Sequence, residues 1–440
     1  SLIFCTALGV RLLNWQVARH EALAVQSSVA LNYKHLAELI RANGLTSLYD
    51  RSATTSNPDL LGHPPGYPIL LSFIYRVAPE SDTATQLLQM MLDSLSAIVI
   101  ALIAFELFPA AVGIIAGFLA ALAPQFSWNS ILLLPDSLAA LPILLAMLLI
   151  TKALVRSNST SDQPSIVSML AAGALIGVSV WLRANSLLLA PFLALLFLLI
   201  RKRGARFLIT LALLGGALLV ISPITIRNAI VYGKFIPVSL GAGQTLIEGI
   251  ADYNRDGSLG LPQTDIELAR GEAETAQRPE YANSLFTPDG IERDRARLRR
   301  GFAVIRAHPI WFAGVMIRRA ASMLRLERTP LRLASSGSGT WQFLIQAPLR
   351  FVQKIFITAI FLPLFLVGVG ILVYQRQFQS FAIMLVVPCY YFCAQSALHT
   401  EYRYVLVIHY FLFVIAAVAI YSIAREVGKR IARPPGPSKS

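Results

Sequence analysis

Long apolar runs constrain this chain more than any other feature. "AIVIALIAFELF" (97–108), "LLLAPFLALLFLLI" (187–200), "FLITLALLGGALLVI" (207–221) and "FVIAAVAIYSI" (413–423) stand out. Each extends, with its flanks, to about the twenty residues that cross a bilayer as a helix. A segment in lipid must satisfy its own backbone hydrogen bonds, so such runs predict helices rather than loops or open strands. Composition agrees: 55% of the 440 residues are hydrophobic and 14% charged, against roughly a quarter charged in soluble domains. The chain reads as an all-α polytopic membrane protein. A net charge of +14 would suit nucleic acid in a soluble protein, but a membrane protein uses basic residues to set its orientation. No nucleic-acid partner is expected, and membrane lipid is.

About ten spans follow: 1–13, 84–107, 109–125, 135–152, 165–181, 186–200, 206–223, 351–374, 378–397 and 404–424. The short basic connections "KALVRS" (152–157), "RKRGAR" (201–206) and "YQRQF" (374–378) and the tail 425–440 then fall on one side. By the positive-inside rule that side is the cytoplasm. Four parts result: an N-terminal transmembrane module 1–228 with a first outer loop 14–83, an outer segment 229–350 between spans seven and eight, C-terminal transmembrane helices 351–424, and a basic tail 425–440. The first run starts without a methionine, which reads as a chain cut inside its first membrane helix. Cys5, Cys389 and Cys393 lie in apolar runs and read as packing residues, without metal-ligand spacing.

Two outer stretches read as interfacial helices. Residues 27–44 carry the apolar stripe Leu31, Leu36, Leu39 and Ile40 and end at Gly44. Residues 309–328 set Arg318, Arg319, Arg325 and Arg328 beside an apolar face, a pattern that suits anionic headgroups. "NRDG" and "TPDG" between them mark turns, and "ASSGSG" (334–339) reads as a flexible link. Gly113/Gly117 and Gly173/Gly177 have the spacing of close helix packing.

The polar side chains of interest gather on the outer side. "LGHPPGYPILLSF" (61–73) is a stiff extended arm, because each proline restricts itself and the residue before it. It carries His63 to the membrane edge. Asp136, in "LLLPDSLAAL", has two readings: a helix N-cap, or a carboxylate held at the membrane edge as base or metal ligand. Arg183, Arg227 and Arg403 lie at outer ends of spans. They either snorkel to headgroups or bind an anion through paired hydrogen bonds. Asp93 lies inside a span and reads as protonated or hydrogen-bonded against a neighbouring helix. No phosphate-cradling glycine loop is present.

In order along the chain, "GHPPGYPILLSF", "SILLLPDSLAALPILLAMLL", "GVSVWLRANSLLLAP", "ISPITIRNAIVYGKFIPVSLGAGQTLIEG" and "HTEYRYVLVIHYFLF" resemble the GT-C superfamily of membrane glycosyltransferases. The likeness is to bacterial relatives of protein mannosyltransferases and of the lipid A aminoarabinose transferase. The resemblance implies a sugar donor linked to a polyprenyl phosphate, used at the periplasmic face of the bacterial inner membrane. It implies catalytic acids in two outer loops. Asp136 matches the second. At the first, the places three and four before Tyr33 hold Ala30 and Val29; Glu21 is the nearest upstream acid, with Asp50 and Asp59 as alternatives. The resemblance places His63, Arg183, Arg227 and Arg403 at the donor phosphate and Tyr67, Asn228 and Glu401 at the substrate.

The expected reaction is inverting transfer of a hexosyl or pentosyl group to an unidentified glycan, lipid or protein acceptor. A carboxylate takes the acceptor proton, and cations meet the departing phosphate. It requires no cofactor; a divalent metal ion is compatible with the chemistry but no ligand spacing supports one. A lipid-linked glycan ligase or polymerase is the alternative. A transporter would place its charges near the bilayer midplane between repeated halves, and this chain gathers them at one face.

Overall fold

A computed structural model describes residues 2–25, 27–50, 59–160, 165–200, 203–254, 256–327 and 340–431. All regular structure among them is helical. The first outer loop follows α1 (Leu2–Ala24) and contains α2 (Ser27–Asn43), the short α3 (Asp59–Gly62) and α4 (Gly66–Val77). A bundle follows: α5 (Asp82–Leu107), α6 (Ala110–Leu122), the short α7 (Pro124–Asn129), α8 (Asp136–Thr160), α9 (Ile166–Leu182), α10 (Leu189–Ile200) and α11 (Arg203–Tyr232). The outer segment holds α12 (Ala242–Ala251), α13 (Asp265–Ala276), α14 (Gly290–Ala307) and α15 (Pro309–Met323). The chain ends through α16 (Thr340–Gln353), α17 (Thr358–Tyr374), α18 (Phe378–Ala394) and α19 (Leu406–Ile431).

Among the described residues, five helical stretches are long and apolar enough to cross a membrane: Asp82–Leu107, Asp136–Arg156, Phe207–Tyr232, Phe378–Ala397 and Tyr402–Ile431. A pair bent by 53°, Ala347–Gln353 with Thr358–Tyr374, brings the number to six if it forms one span. Three more apolar helices, Ala110–Leu122, Ile166–Leu182 and Ala184–Leu199, are shorter. The ten expected spans are therefore met only in part, and local chemistry explains two differences. The run 109–125 is cut because Pro124 starts a new helix after Leu122. The run 1–13 continues as α1 to Ala24, past Asn14 and Arg19.

The core sits on α19, whose residues Leu406 to Ala419 are all buried. Phe126 of α7 stacks on Tyr410 with ring centroids 3.9 Å apart. Beside this stack lies a buried ion pair: Arg11 Nη2 is 2.6 Å from Asp93 Oδ2, and the Tyr410 hydroxyl donates to Asp93 Oδ1 at 3.2 Å. Asp93 is thus salt-bridged to α1, where the sequence pointed to a protonated or simply hydrogen-bonded acid. Losing either partner would strand a buried charge, at a cost of about 3–5 kcal/mol.

Small residues bring α9 and α11 together. A Cβ on Gly173 would meet the Leu213 carbonyl oxygen at 1.9 Å, and one on Gly216 would meet the Leu170 carbonyl oxygen at 2.0 Å. The Gly173/Gly177 spacing is a packing motif, as expected. The cysteines depart from expectation: all three are free and exposed on outward helix faces. α15 also departs. Arg319 is buried and donates to the Ser396 carbonyl at 2.7 Å and to the Gly249 carbonyl. It ties α15 to α12 and to the end of the span Phe378–Ala397 instead of facing headgroups. Arg328 lies outside the described residues.

Candidate functional site

Three chain breaks build one polar corner. Asp136 is the first residue of α8 and is 6% exposed. Arg183 follows α9 in an extended conformation, before a single 3-10 turn, Ala184–Ser186. Arg403 lies in the 3-10 turn Tyr402–Val405 that leads into α19. Hydroxyl contacts lock the breaks together: Ser179 Oγ donates to the Ala139 carbonyl at 2.9 Å, and Tyr390 donates to the Asn185 carbonyl at 2.7 Å.

The corner is organised around Asp136. Arg183 Nη2 lies 2.9 Å from its Oδ1 and Arg403 Nη1 lies 4.0 Å from its Oδ2. Among the described residues, neither carboxylate oxygen has an aligned hydrogen-bond donor, and neither caps a backbone N–H. The attraction to Arg183 is therefore one of charge and proximity. Asp136 sits at the positive end of a helix without acting as its cap, which leaves its lone pairs free for other chemistry. Burial works most strongly against the Arg183 charge, but Asp136, Tyr404 and Tyr33 together outweigh it and hold the guanidinium above its ordinary value. The Arg183 guanidinium also lies over the Tyr404 ring, 4.3 Å from its centroid. Arg403 grips Glu401 through two bonds of 2.8 Å. Burial pushes Glu401 up, but that grip brings its carboxyl below the usual range. A cavity of about 20 Å³ is lined by Asp136, Arg183, Arg403, Asn185 and Tyr404, room for about one water molecule.

The proline arm reaches the same corner. Gly66 is pressed against the end of α9, where a Cβ would lie 2.4 Å from the Trp181 carbonyl oxygen. Pro64 and Pro65 are buried. His63 is thereby carried beside Arg183 and Arg403: burial, and then those two charges, push its pKa down to about 4. The imidazole is neutral at physiological pH. His63, expected at a donor phosphate, stands beside the two arginines as an uncharged ring.

Tyr33, which served in the sequence only to locate an absent acid, belongs to the corner. Its ring lies 5.0 Å from that of His63 and 5.1 Å from that of Tyr67. Its hydroxyl is buried without a hydrogen-bond partner among the described residues, and burial pushes its pKa up to about 12, so the phenol keeps its proton. Nothing in residue spacing flagged Tyr33 as functional, because the contact depends on α2 packing on α4. Tyr67 is a supporting group: it is fully buried and its hydroxyl donates to Gln89 Oε1 at 2.6 Å.

Arg227 and Asn228 do not line the cavity at Asp136. Arg227 Nε donates to the Leu48 carbonyl at 2.8 Å, and its Nη1 donates to Asn228 Oδ1 at 2.7 Å. Asn228 donates to the Ile236 and Val238 carbonyls at 3.0 and 2.9 Å. The pair fastens the loop after α11 and the first outer loop through backbone carbonyls. Glu21 is half-buried near the end of α1. It is not among the groups that act most strongly on Tyr33, His63 or Arg183. Asp50 follows the short helix Leu45–Tyr49, and the side chain of Asp59 lies outside the described residues. As a metal site the corner fits poorly: its central carboxylate is flanked by two guanidiniums, whereas a divalent cation needs several anionic or neutral donors.

The result is an apolar helical bundle with a carboxylate and two arginines gathered where its helices begin and end. Residues 62–226 match the family described as dolichyl-phosphate-mannose-protein mannosyltransferase, less than half of the chain but including His63, Asp136 and Arg183. Among solved structures, the apo oligosaccharyltransferase of Archaeoglobus fulgidus shares the fold, with a TM-score of 0.52 at 15% identity over 98% of this chain and 52% of that one. ArnT from Cupriavidus metallidurans bound to undecaprenyl phosphate gives a TM-score of 0.33 at 16% identity, over 95% of this chain and 80% of that one. The chain spans about half the length of the archaeal enzyme it matches. No curated protein matches it significantly.

Proposed function

We propose that the chain is a membrane glycosyltransferase that moves a sugar from a polyprenyl-phosphate donor to an acceptor at the periplasmic face of the bacterial inner membrane, with inversion. One observation carries the reading: Asp136 is buried between Arg183 and Arg403 with neither carboxylate oxygen used by a backbone N–H. The family match over 62–226 supports a lipid-phosphate sugar as donor.

The chemistry follows from the placement. An acceptor hydroxyl attacks the anomeric carbon while Asp136 takes its proton. The new C–O bond forms as the bond to the phosphate oxygen breaks, and the electron pair leaves with the polyprenyl phosphate. Arg183 and Arg403 meet that charge, and the neutral His63 and the Tyr33 hydroxyl offer uncharged donors beside them. The activated bond arrives with the lipid, so no nucleotide or other cofactor enters the scheme, and no step is routed through a metal. The sugar and the acceptor are set by contacts beyond this corner.

The test is the lipid pool of a strain lacking the protein. One polyprenyl-phosphate sugar should accumulate in its membranes and return to normal on complementation. An unchanged set of lipid-linked sugars would refute the proposal.

A further inference from the structure

A second cavity, of about 610 Å³, opens in the outer segment among α12, α13 and α14, and none of its lining residues belongs to the Asp136 corner. Its size falls in the range of small-ligand sites. Ile247 of α12, Leu261 and Pro262 of the following loop and Leu268 of α13 give it an apolar floor. Its charged wall is built, not loose. Glu272 of α13 accepts from Arg297 Nε at 2.6 Å and Nη2 at 2.7 Å, and from Arg293 Nε at 2.7 Å. Arg293 and Arg297 are 6% and 3% exposed. Two buried guanidiniums thus share one carboxylate. Arg300, at the exposed rim, donates to the Gly260 carbonyl at 2.7 Å. The remaining acid of the lining, Glu267, is turned to its own loop, accepting from the Gln263 N–H at 2.7 Å. Two arginines lie over the Tyr281 ring, Arg278 at 4.6 Å and Arg293 at 4.3 Å from its centroid, which adds to the positive character of this wall.

An apolar floor under a wall with excess positive charge is complementary to an anion carried on an apolar body. We propose that this cavity is a binding site for an organic anion of that kind, a phosphate or carboxylate attached to an apolar group. Guanidinium rims recognise both through paired hydrogen bonds, and the floor buries the attached group. The site also has a route to the rest of the molecule. α12, which contributes Ile247, packs its other face on the segment before Arg403: the His399 N–H donates to the Thr245 carbonyl at 2.7 Å, and a Cβ on Gly249 would lie 2.5 Å from the His399 nitrogen. A ligand seated in the cavity therefore leans on the helix that supports Glu401 and Arg403.

The proposal concerns binding alone and stands apart from the transferase reading. The full chain in lipid nanodiscs is titrated with 4-fluorophenyl phosphate, followed by fluorine NMR, with 4-fluorophenol as the uncharged control for partition into lipid. The phosphate probe should bind, and the phenol should show no saturable binding. Ala296→Trp fills the exposed side of the cavity, and Arg300→Glu reverses its rim charge. Each should weaken the probe by roughly tenfold or more, while Arg403→Ala leaves it unchanged. Absence of saturable binding, equal binding in both cavity variants, or loss in Arg403→Ala alone would each overturn the site; the last would assign the probe to the Asp136 corner.

Discussion

His63 and Arg227 show how position and partners decide what a residue does. His63 sits on its arm as a neutral imidazole, pushed down to about 4 by burial and two nearby arginines. A pH–rate profile should therefore show no His63 step between about pH 6 and 8. Stability should show one at lower pH. An unfolded histidine titrates near about 6.5, so below that value the unfolded chain binds a proton the folded chain refuses. Stability is full above about pH 6.5 and falls as pH drops toward about 4. Thermal denaturation at about pH 7.5 and about pH 5 should show a larger acid loss in the wild type than in His63→Gln; equal losses would exclude His63 as the cause. Arg227 is a fastener, bonded to Leu48 and Asn228. Arg227→Lys should lower stability by about 1–3 kcal/mol through the bonds it cannot replace. Donor KM per folded protein should stay unchanged, and a raised donor KM would return Arg227 to the phosphate site.

At the scale of elements, close approach at one glycine sets the corner's geometry. Gly66 opens α4 directly under the Trp181 carbonyl, two residues before Arg183. Gly66→Ala would push the proline arm off α9 and carry His63 and Tyr33 with it. Transfer should fall by about tenfold, since displacements near 1 Å are costly in positioned sites. Gly314→Ala in α15, where a Cβ meets nothing within 4 Å, is the control and should be neutral or stabilising by up to about 1 kcal/mol. Unaltered transfer in Gly66→Ala would show that the arm is not part of the site. The stiffness of this arm was legible in "HPPG", because proline restricts the backbone whatever surrounds it. Its partner was not, because the contact with α9 is made across more than a hundred residues. The same limit hid the Arg11–Asp93 pair and the role of Tyr33. Span ends were blurred for a different reason: proline at 124 starts a helix where hydropathy alone runs on.

For the whole molecule, the apolar runs announced a helical membrane protein, and that architecture is present. The grouping of Asp136, Arg183, Arg403, Glu401 and His63 was legible as well, since the basic loops put them all on one side. Arg227 was grouped with them by the same argument, and its bonds run to Leu48 and Asn228. Orientation itself has a direct test. In a version with Cys5, Cys389 and Cys393 replaced by alanine, a cysteine at exposed Glu292 should react with a membrane-impermeant maleimide on intact spheroplasts. One at exposed Glu426 should react only after permeabilisation. The opposite pattern would invert the topology and move the corner to the cytoplasm.

The central claim is that Asp136 takes the acceptor proton beside a cationic phosphate site. Its most direct test is transfer from a polyprenyl-phosphate sugar by wild type and Asp136→Asn in proteoliposomes, using the lipid-linked sugar that accumulates in the deletion strain. Asparagine keeps the shape and removes the base. It also leaves Arg183 without its anion, which costs stability on the order of 3 kcal/mol, so rates are compared per folded protein. The account predicts a fall in kcat on the order of 10² or more with retained binding of the lipid phosphate. Full transfer by folded Asp136→Asn would contradict it.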